Sequence, residues 1–237
     1  MYGIINKTNG QNVKSTMIDT LLSYIAPYHC SGCGQTGTLL CDNCKYNINF
    51  DEFFSCLNCN MPANSNGVCR TCRLPYSKAW CVGERTDVLE ALINGYKFDR
   101  VKATYRVLGD LLLEKVDHLP KETIIVPIPT IGTHIRTRGY DHSLLIAQHF
   151  ARKRGLVCRQ LIQRATATKQ KGASKSVREA QARQAFIVKP QLAPDVPYLL
   201  IDDVVTTGAT VTYAAKGLRD AGAEHVWVAA IARQPLD

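Results

Sequence analysis

Two apolar spacings alternate along most of the chain. Val88, Leu89, Leu92, Ile93 and Tyr96 recur at helical spacing, as do Val101, Tyr105, Leu108, Leu111 and Leu112, predicting two consecutive helices. Ile124-Ile125-Val126 is a short unbroken apolar run before Pro127-Ile128-Pro129 and predicts a buried strand. Leu144, Ala147, Phe150 and Ala151 mark a helix over about 141–154 that stops near Gly155. Leu199 to Ile201 is apolar without alternation, which predicts a strand covered on both faces. Val211, Ala214, Ala215 and Leu218 return to helical spacing, Ala221-Gly222 ends that helix, and His225 to Ala232 supplies a last apolar strand. Strands alternating with helices predict an α/β fold, a parallel sheet flanked by helices and joined by right-handed crossovers. In such sheets ligands gather beyond the carboxyl ends of the strands.

The region before this pattern has a different character. Residues 1–12 are polar, and Met17, Ile18, Leu21, Leu22 and Ile25 predict a short amphipathic helix within a leading segment, 1–27. Eight of the ten cysteines then fall in four Cys-x-x-Cys pairs: Cys30 and Cys33, Cys41 and Cys44, Cys56 and Cys59, Cys69 and Cys72. Two intervening residues let both thiolates of a pair reach one tetrahedral ion, and two pairs complete a four-cysteine site. Four thiolates suit Zn2+ best, with iron the alternative. Sequential pairing encloses only seven and nine residues between knuckles, so it closes shorter loops than a cross-braced arrangement. Residues 28–79 therefore form a double zinc-ribbon module, in which metal supplies folding energy that a small core cannot. Residues 80–237 form the α/β domain. Cys81 and Cys158 are expected to be packed side chains, and His29 an exposed one.

The chemically most specific stretch runs from the predicted strand at Leu199 into the helix after Thr210: Asp202-Asp203-Val204-Val205-Thr206-Thr207-Gly208-Ala209-Thr210. The loop places backbone N–H groups and threonine hydroxyls at the positive end of a helix dipole, where an anion is favoured. Gly208 allows close backbone approach. Two carboxylates would repel a bare phosphate; beside one, they suit sugar hydroxyls or a divalent cation. A phosphorylated ribose satisfies both halves. The alternative is an ordinary strand–helix loop with a threonine cap.

The formal charge is +9, and it is unevenly placed. Twelve Lys and Arg lie between Arg136 and Arg183, opposed only by Asp141 and Glu179. Such density points to a polyanionic ligand without choosing between nucleotide and nucleic acid. Arg136 and Arg138, in the loop after Pro129, form a candidate second phosphate site, or else are plain surface charges. The polar, basic segment 156–193, with Arg164, Thr168, Gln170 and Arg178, reads as a loop able to close over a reacting centre, or as a linker. Neither a Walker A sequence nor a dinucleotide glycine fingerprint occurs. With no long apolar run and no signal-peptide pattern, a cytoplasmic location is expected.

The Asp202–Thr210 segment resembles the loop that binds 5-phosphoribosyl pyrophosphate (PRPP) in type I phosphoribosyltransferases. There the acid pair holds the ribose hydroxyls and the loop wraps the 5′-phosphate. More of the chain follows one pattern. The Cys knuckles, Lys97-Phe98, Pro127-Ile128-Pro129, Arg136-Thr137-Arg138-Gly139-Tyr140, Thr168-Lys169-Gln170, Arg178 and the acid-pair loop occur in one order. From about Met17 to Ala232 this is similar to the ComF (ComFC/GntX-like) family of double-zinc-ribbon, phosphoribosyltransferase-like proteins linked to competence and DNA uptake. Gln181, where relatives usually carry Asn, departs from the pattern. The resemblance implies two structural Zn2+ sites and PRPP bound with Mg2+ at Asp202, Asp203, Thr206, Thr207, Gly208, Ala209 and Thr210. It further implies pyrophosphate at Arg136 and Arg138, and Lys97, Arg164, Gln170 and Arg178 around the lid. The function implied is phosphoribosyl transfer to an acceptor the sequence does not identify. The alternative is a non-catalytic module of the transformation machinery whose basic tract follows single-stranded DNA, with Tyr140 or Phe186 stacking on bases, and whose zinc ribbons contact DNA or a helicase-like or DNA-processing partner.

Overall fold

The structure, a computed structural model, describes residues 27–48, 55–164, 186–188 and 191–235. The helix expected before Pro27, and Thr168, Gln170, Arg178 and Gln181, lie outside the described residues. Five strands form one parallel sheet in the order β1-β7-β6-β2-β3. These are β1 (Lys78–Glu84), β2 (Ile124–Pro127), β3 (Val157–Cys158), β6 (Pro197–Val205) and β7 (His225–Arg233). A separate antiparallel ribbon joins β4 (Ile162–Arg164) to β5 (Phe186–Val188).

The predicted helices are α2 (Asp87–Lys97), α3 (Thr104–Lys115), α5 (His142–Arg154) and α6 (Ala209–Asp220). Two short helices complete the set, α1 (Asp42–Tyr46) in the cysteine-rich region and α4 (Gly132–Arg138). Central β6 shows why its sequence lacks alternation: both faces are covered. Leu199 and Ile201 pack with Leu92, Leu108, Ile146 and Phe150 from α2, α3 and α5. Tyr198 and Leu200 pack with Val211, Ala214 and Leu218 of α6, and with Leu57 and Tyr76 from the cysteine-rich region. Each such fully buried aliphatic side chain stabilises the fold by about 1.5–3 kcal/mol relative to exposure.

Three elements differ from the sequence expectation. β1 extends the sheet beyond β7 and was not marked by the apolar pattern. The loop expected at Arg136 and Arg138 is helical, with no buried residue in α4. The ends of the expected lid are paired as the β4–β5 ribbon, Arg164 lying opposite Phe186.

The cysteine-rich region straddles the β1 edge of the sheet. Its first half packs Leu40 and Ile48 against the α2–α3 side. Its second half packs Leu57 against the α6 side, and Ala79 N donates to Asn66 O (2.8 Å), capping the edge strand. Among the described residues no helix is long and apolar enough to cross a membrane.

Candidate functional site

The two cysteine clusters form sequentially: Cys30, Cys33, Cys41 and Cys44 in one, Cys56, Cys59, Cys69 and Cys72 in the other. Sulfurs within each lie within 4.8 Å of one another. Separations of 3.6 Å recur for Cys30–Cys41, Cys33–Cys41 and Cys59–Cys69. A tetrahedron of thiolates about 2.3 Å from Zn2+ has edges of about 3.8 Å, so both clusters have the dimensions of a zinc site. In the second cluster Cys72 N–H donates to Cys69 Sγ (3.4 Å) and draws that thiol down to about 6, whereas burial pushes Cys56 up. His29 is exposed and its Nδ1 approaches Gly34 O and Thr36 Oγ1, outside both clusters. Cys81 is buried, and burial pushes its thiol up to about 12, which marks a packed side chain.

The acid pair sits at the end of β6. Asp202 is buried, and its Oδ1 accepts from Asp203 N (2.9 Å) and Ser143 Oγ (3.3 Å). Burial, reinforced by the neighbouring Asp203 charge, pushes Asp202 up to about 7. Asp203 Oδ1 accepts from Val204 N (2.6 Å), while Oδ2 pairs with Lys97 Nζ at 2.9 Å. Lys97 is the last residue of α2, so the packing of α2 on the sheet delivers a cation to the strand end.

Behind the pair, Tyr96, Tyr140 and His142 stack together: ring centroids are 5.4 Å apart for the two tyrosines and 4.6 Å for Tyr96 and His142. Tyr140 OH donates to Tyr96 O (2.6 Å) and Tyr96 OH to His142 O (3.0 Å). Burial holds His142 down at about 4, against the pull of Asp203, so its ring is neutral at pH 7.

Immediately downstream, Gly208 adopts a left-handed φ of 74° and caps α6. The first turn of α6 carries no acidic residue, and its leading N–H groups have no partner one turn back. Thr207 Oγ1 accepts from Ala209 N (3.4 Å). The loop is fixed from below by Arg233, 1 % exposed, whose Nη1 donates to Thr206 O and to Gln234 O (2.7 Å).

Arg136 and Arg138 sit two residues apart on α4, which separates their directions by about 200° around the helix. Arg138 covers Phe98 at 5.3 Å, while Arg136 is exposed. Arg164 Nε donates to Pro129 O (2.8 Å), and its guanidinium covers Phe186 at 5.1 Å while facing the charges of Asp202 and Asp141. Asp202, Asp203, Lys97 and the Thr206–Thr210 loop thus converge on one strand end, with Arg164 close by. Ser143 and Arg233 join them without any sequence pattern to mark them.

No family model matches the chain. Competence protein F of Haemophilus influenzae is 27 % identical over 221 residues, 81 % of this chain and 96 % of that protein. DNA utilization protein YhgH of Salmonella typhi is 30 % identical over 190 residues, 75 % of this chain and 83 % of the relative. Competence protein ComFC of Streptococcus pneumoniae is 25 % identical over 192 residues, covering 79 % and 84 %. Among solved structures, the glutamine PRPP amidotransferase of B. subtilis aligns with 53 % of this chain and 25 % of its own, at 17 % identity and a TM-score of 0.38. With the double four-cysteine module, the parallel sheet and these relatives, the chain belongs to the ComF family.

Proposed function

We propose that Asp202 to Thr210 binds the ribose 5-phosphate part of PRPP and that the protein transfers the 5-phosphoribosyl group to a nucleophile in the handling of incoming DNA. The observation carrying this is the placement of two adjacent carboxylates at the end of β6, directly before a loop that leads into the first turn of α6 and its N–H groups. The loop N–H groups and threonine hydroxyls take the 5′-phosphate, while Asp202 and Asp203 accept hydrogen bonds from the ribose hydroxyls. Pushed up to about 7 by burial, Asp202 is present in both protonation states near neutral pH, so it can accept from one hydroxyl or donate to another. In the transfer, the C1–O bond to pyrophosphate breaks with its electron pair leaving on oxygen, and the nucleophile's pair forms the new bond at C1. The DNA link comes from the names of the relatives, competence protein F and DNA utilization protein YhgH.

Asp202 and Asp203 offer the oxygen donors that would hold Mg2+, which would supply positive charge against the leaving pyrophosphate. Arg136 and Arg138 serve the same charge in this reading. For both to meet one polyanion, α4 must change shape; having no buried residue, it can do so without exposing core. Arg164 stands at the acid pair, and Gln170 and Arg178 would extend the lid.

Calorimetric titration with PRPP and Mg2+ tests the reading: the intact protein binds, and the double change Asp202→Asn/Asp203→Asn abolishes binding. No binding by the intact protein would sink it. A second reading, single-stranded DNA on the same face, is favoured by Phe98, 64 % exposed beside Arg138 and Arg100. Tyr140 and Phe186 are less suited to stacking on bases, since both are half-buried and Tyr140 is packed on Tyr96. DNA binding with a steep salt slope, insensitive to the two Asp changes and lost in Phe98→Ala, would support that alternative.

A further inference from the structure

We infer that the second four-cysteine site, Cys56, Cys59, Cys69 and Cys72, sets the shape of the Thr206–Thr210 loop through Asn58, whereas the first site does not. The inference rests on reading that loop as the phosphate cradle.

Two contacts carry it. A Cβ on Gly208 would lie 2.7 Å from both Cα and Oδ1 of Asn58 and 3.0 Å from Leu57 O, so the knuckle's backbone lies directly against the loop. Asn58 is in turn held by sulfur: its backbone N–H donates to Cys56 Sγ and its Nδ2 to Cys72 Sγ, each at 3.4 Å. Its two donor groups face the cluster while Cα and Oδ1 face the loop. Arg233 makes the second link. One guanidinium nitrogen holds Thr206 O, and the same buried group faces Cys81, then Cys56 and Cys59. Its Nε and Nη2 are buried without a hydrogen-bond partner among the described residues.

The first site has different neighbours. Gly32 abuts Val88 of α2, where a Cβ would lie 2.9 Å from Cγ2, and Lys45 pairs with Glu114 of α3 at 2.5 Å. The first site's neighbours pack on the α2–α3 side of the sheet and the second's on the α6 side, and among the described residues the contacts onto Gly208 come from the second.

Metal loading fixes a knuckle, and loss of metal releases it. Without the wall formed by Leu57 and Asn58, the loop amides lose the fixed orientation that an anion cradle needs. Asn58 is a positioning residue: it acts through Gly208.

The test uses the full chain with Cys72→Ser or Cys33→Ser, each removing one thiolate from one site. Zinc per chain, amide hydrogen exchange at 206–210 and calorimetric binding of ribose 5-phosphate are measured. Both variants should fall from two zinc ions to one. In Cys72→Ser, loop exchange should rise, and ribose 5-phosphate affinity fall, by about tenfold or more, the scale typical of lost supporting contacts. Cys33→Ser should move neither by more than about twofold, within one marginal hydrogen bond. Asn58→Ala keeps every thiolate, so it should hold two zinc ions yet still raise loop exchange; it decides the matter if Cys72→Ser does not fold. Equal effects of the two cysteine changes, or unchanged loop exchange in both Cys72→Ser and Asn58→Ala, would overturn the inference. Failure of the intact protein to bind ribose 5-phosphate overturns the ligand reading instead, and the exchange pattern still decides this one.

Discussion

Asp202 is ionised at a price in stability, and Asp202→Asn should reveal it. In the unfolded chain the carboxyl titrates at 3.8; in the fold, burial and the adjacent Asp203 push it up to about 7. The folded state therefore holds a proton that the unfolded state has released. Stability falls as pH rises from the unfolded value towards the folded one, and the penalty is fully developed above it. A shift of roughly three pH units at about 1.4 kcal/mol each gives a limiting penalty of ~4 kcal/mol, of which about 2 kcal/mol accrues between pH 5.5 and pH 8. Asparagine keeps an oxygen for Ser143 and for Asp203 N and removes the buried charge. Urea unfolding of both proteins at the two pH values gives the difference directly. Effects of pH on the zinc sites cancel, since both proteins carry the same sites. The variant should gain about 2 kcal/mol more at pH 8 than at pH 5.5. A gain that does not change with pH, or a loss at pH 8, would refute the argument that burial governs this carboxyl.

Lys97→Met removes the cation from Asp203, whose side chain is 13 % exposed, and leaves two adjacent carboxylates without their counterion. A loss of about 1–3 kcal/mol in urea unfolding at pH 7.5 is expected, and no loss would show that water already screens the pair. Gly208→Ala imposes a left-handed alanine and a Cβ 2.7 Å from the Asn58 backbone. The expected cost is about 2 kcal/mol, seen as a fall in melting temperature of roughly 4–8 °C; an unchanged midpoint would mean that loop and knuckle move apart freely.

What the sequence discloses here follows from how local the cause is. α2, α3, α5 and α6 each bury one stripe against the sheet, so periodicity marks them within about three residues. Sequential cysteine pairing is legible because short loops close most easily. β1 is harder: Ala79 to Val82 is a four-residue apolar run, flanked by Lys78 and Gly83, at the border of a cysteine-rich stretch. α4 escapes because none of its residues is buried, and a helix without a buried face leaves no stripe. At the site, Asp202 and Asp203 stand out as neighbours in the chain. Ser143, Arg233 and Asn58 reach that loop from 59, 27 and 150 residues away along the chain, counted to Asp202, Thr206 and Gly208. Their partners are chosen by the packing of α5, β7 and the second knuckle, which no local pattern records.

The pairing of β1 with β7 has a consequence for how the molecule is made. On a growing chain, each cysteine knuckle can close within a few residues of being synthesised, once metal is at hand. β1, which follows them, finds its sheet neighbour among the described residues in β7, more than half the chain later. The metal-bound segments therefore wait beside an unpaired strand until Arg233 has emerged, and the acid-pair loop between β6 and β7 gains its floor in the same late event. Order of synthesis and order of assembly run in opposite directions: the earliest strand is the last to be secured.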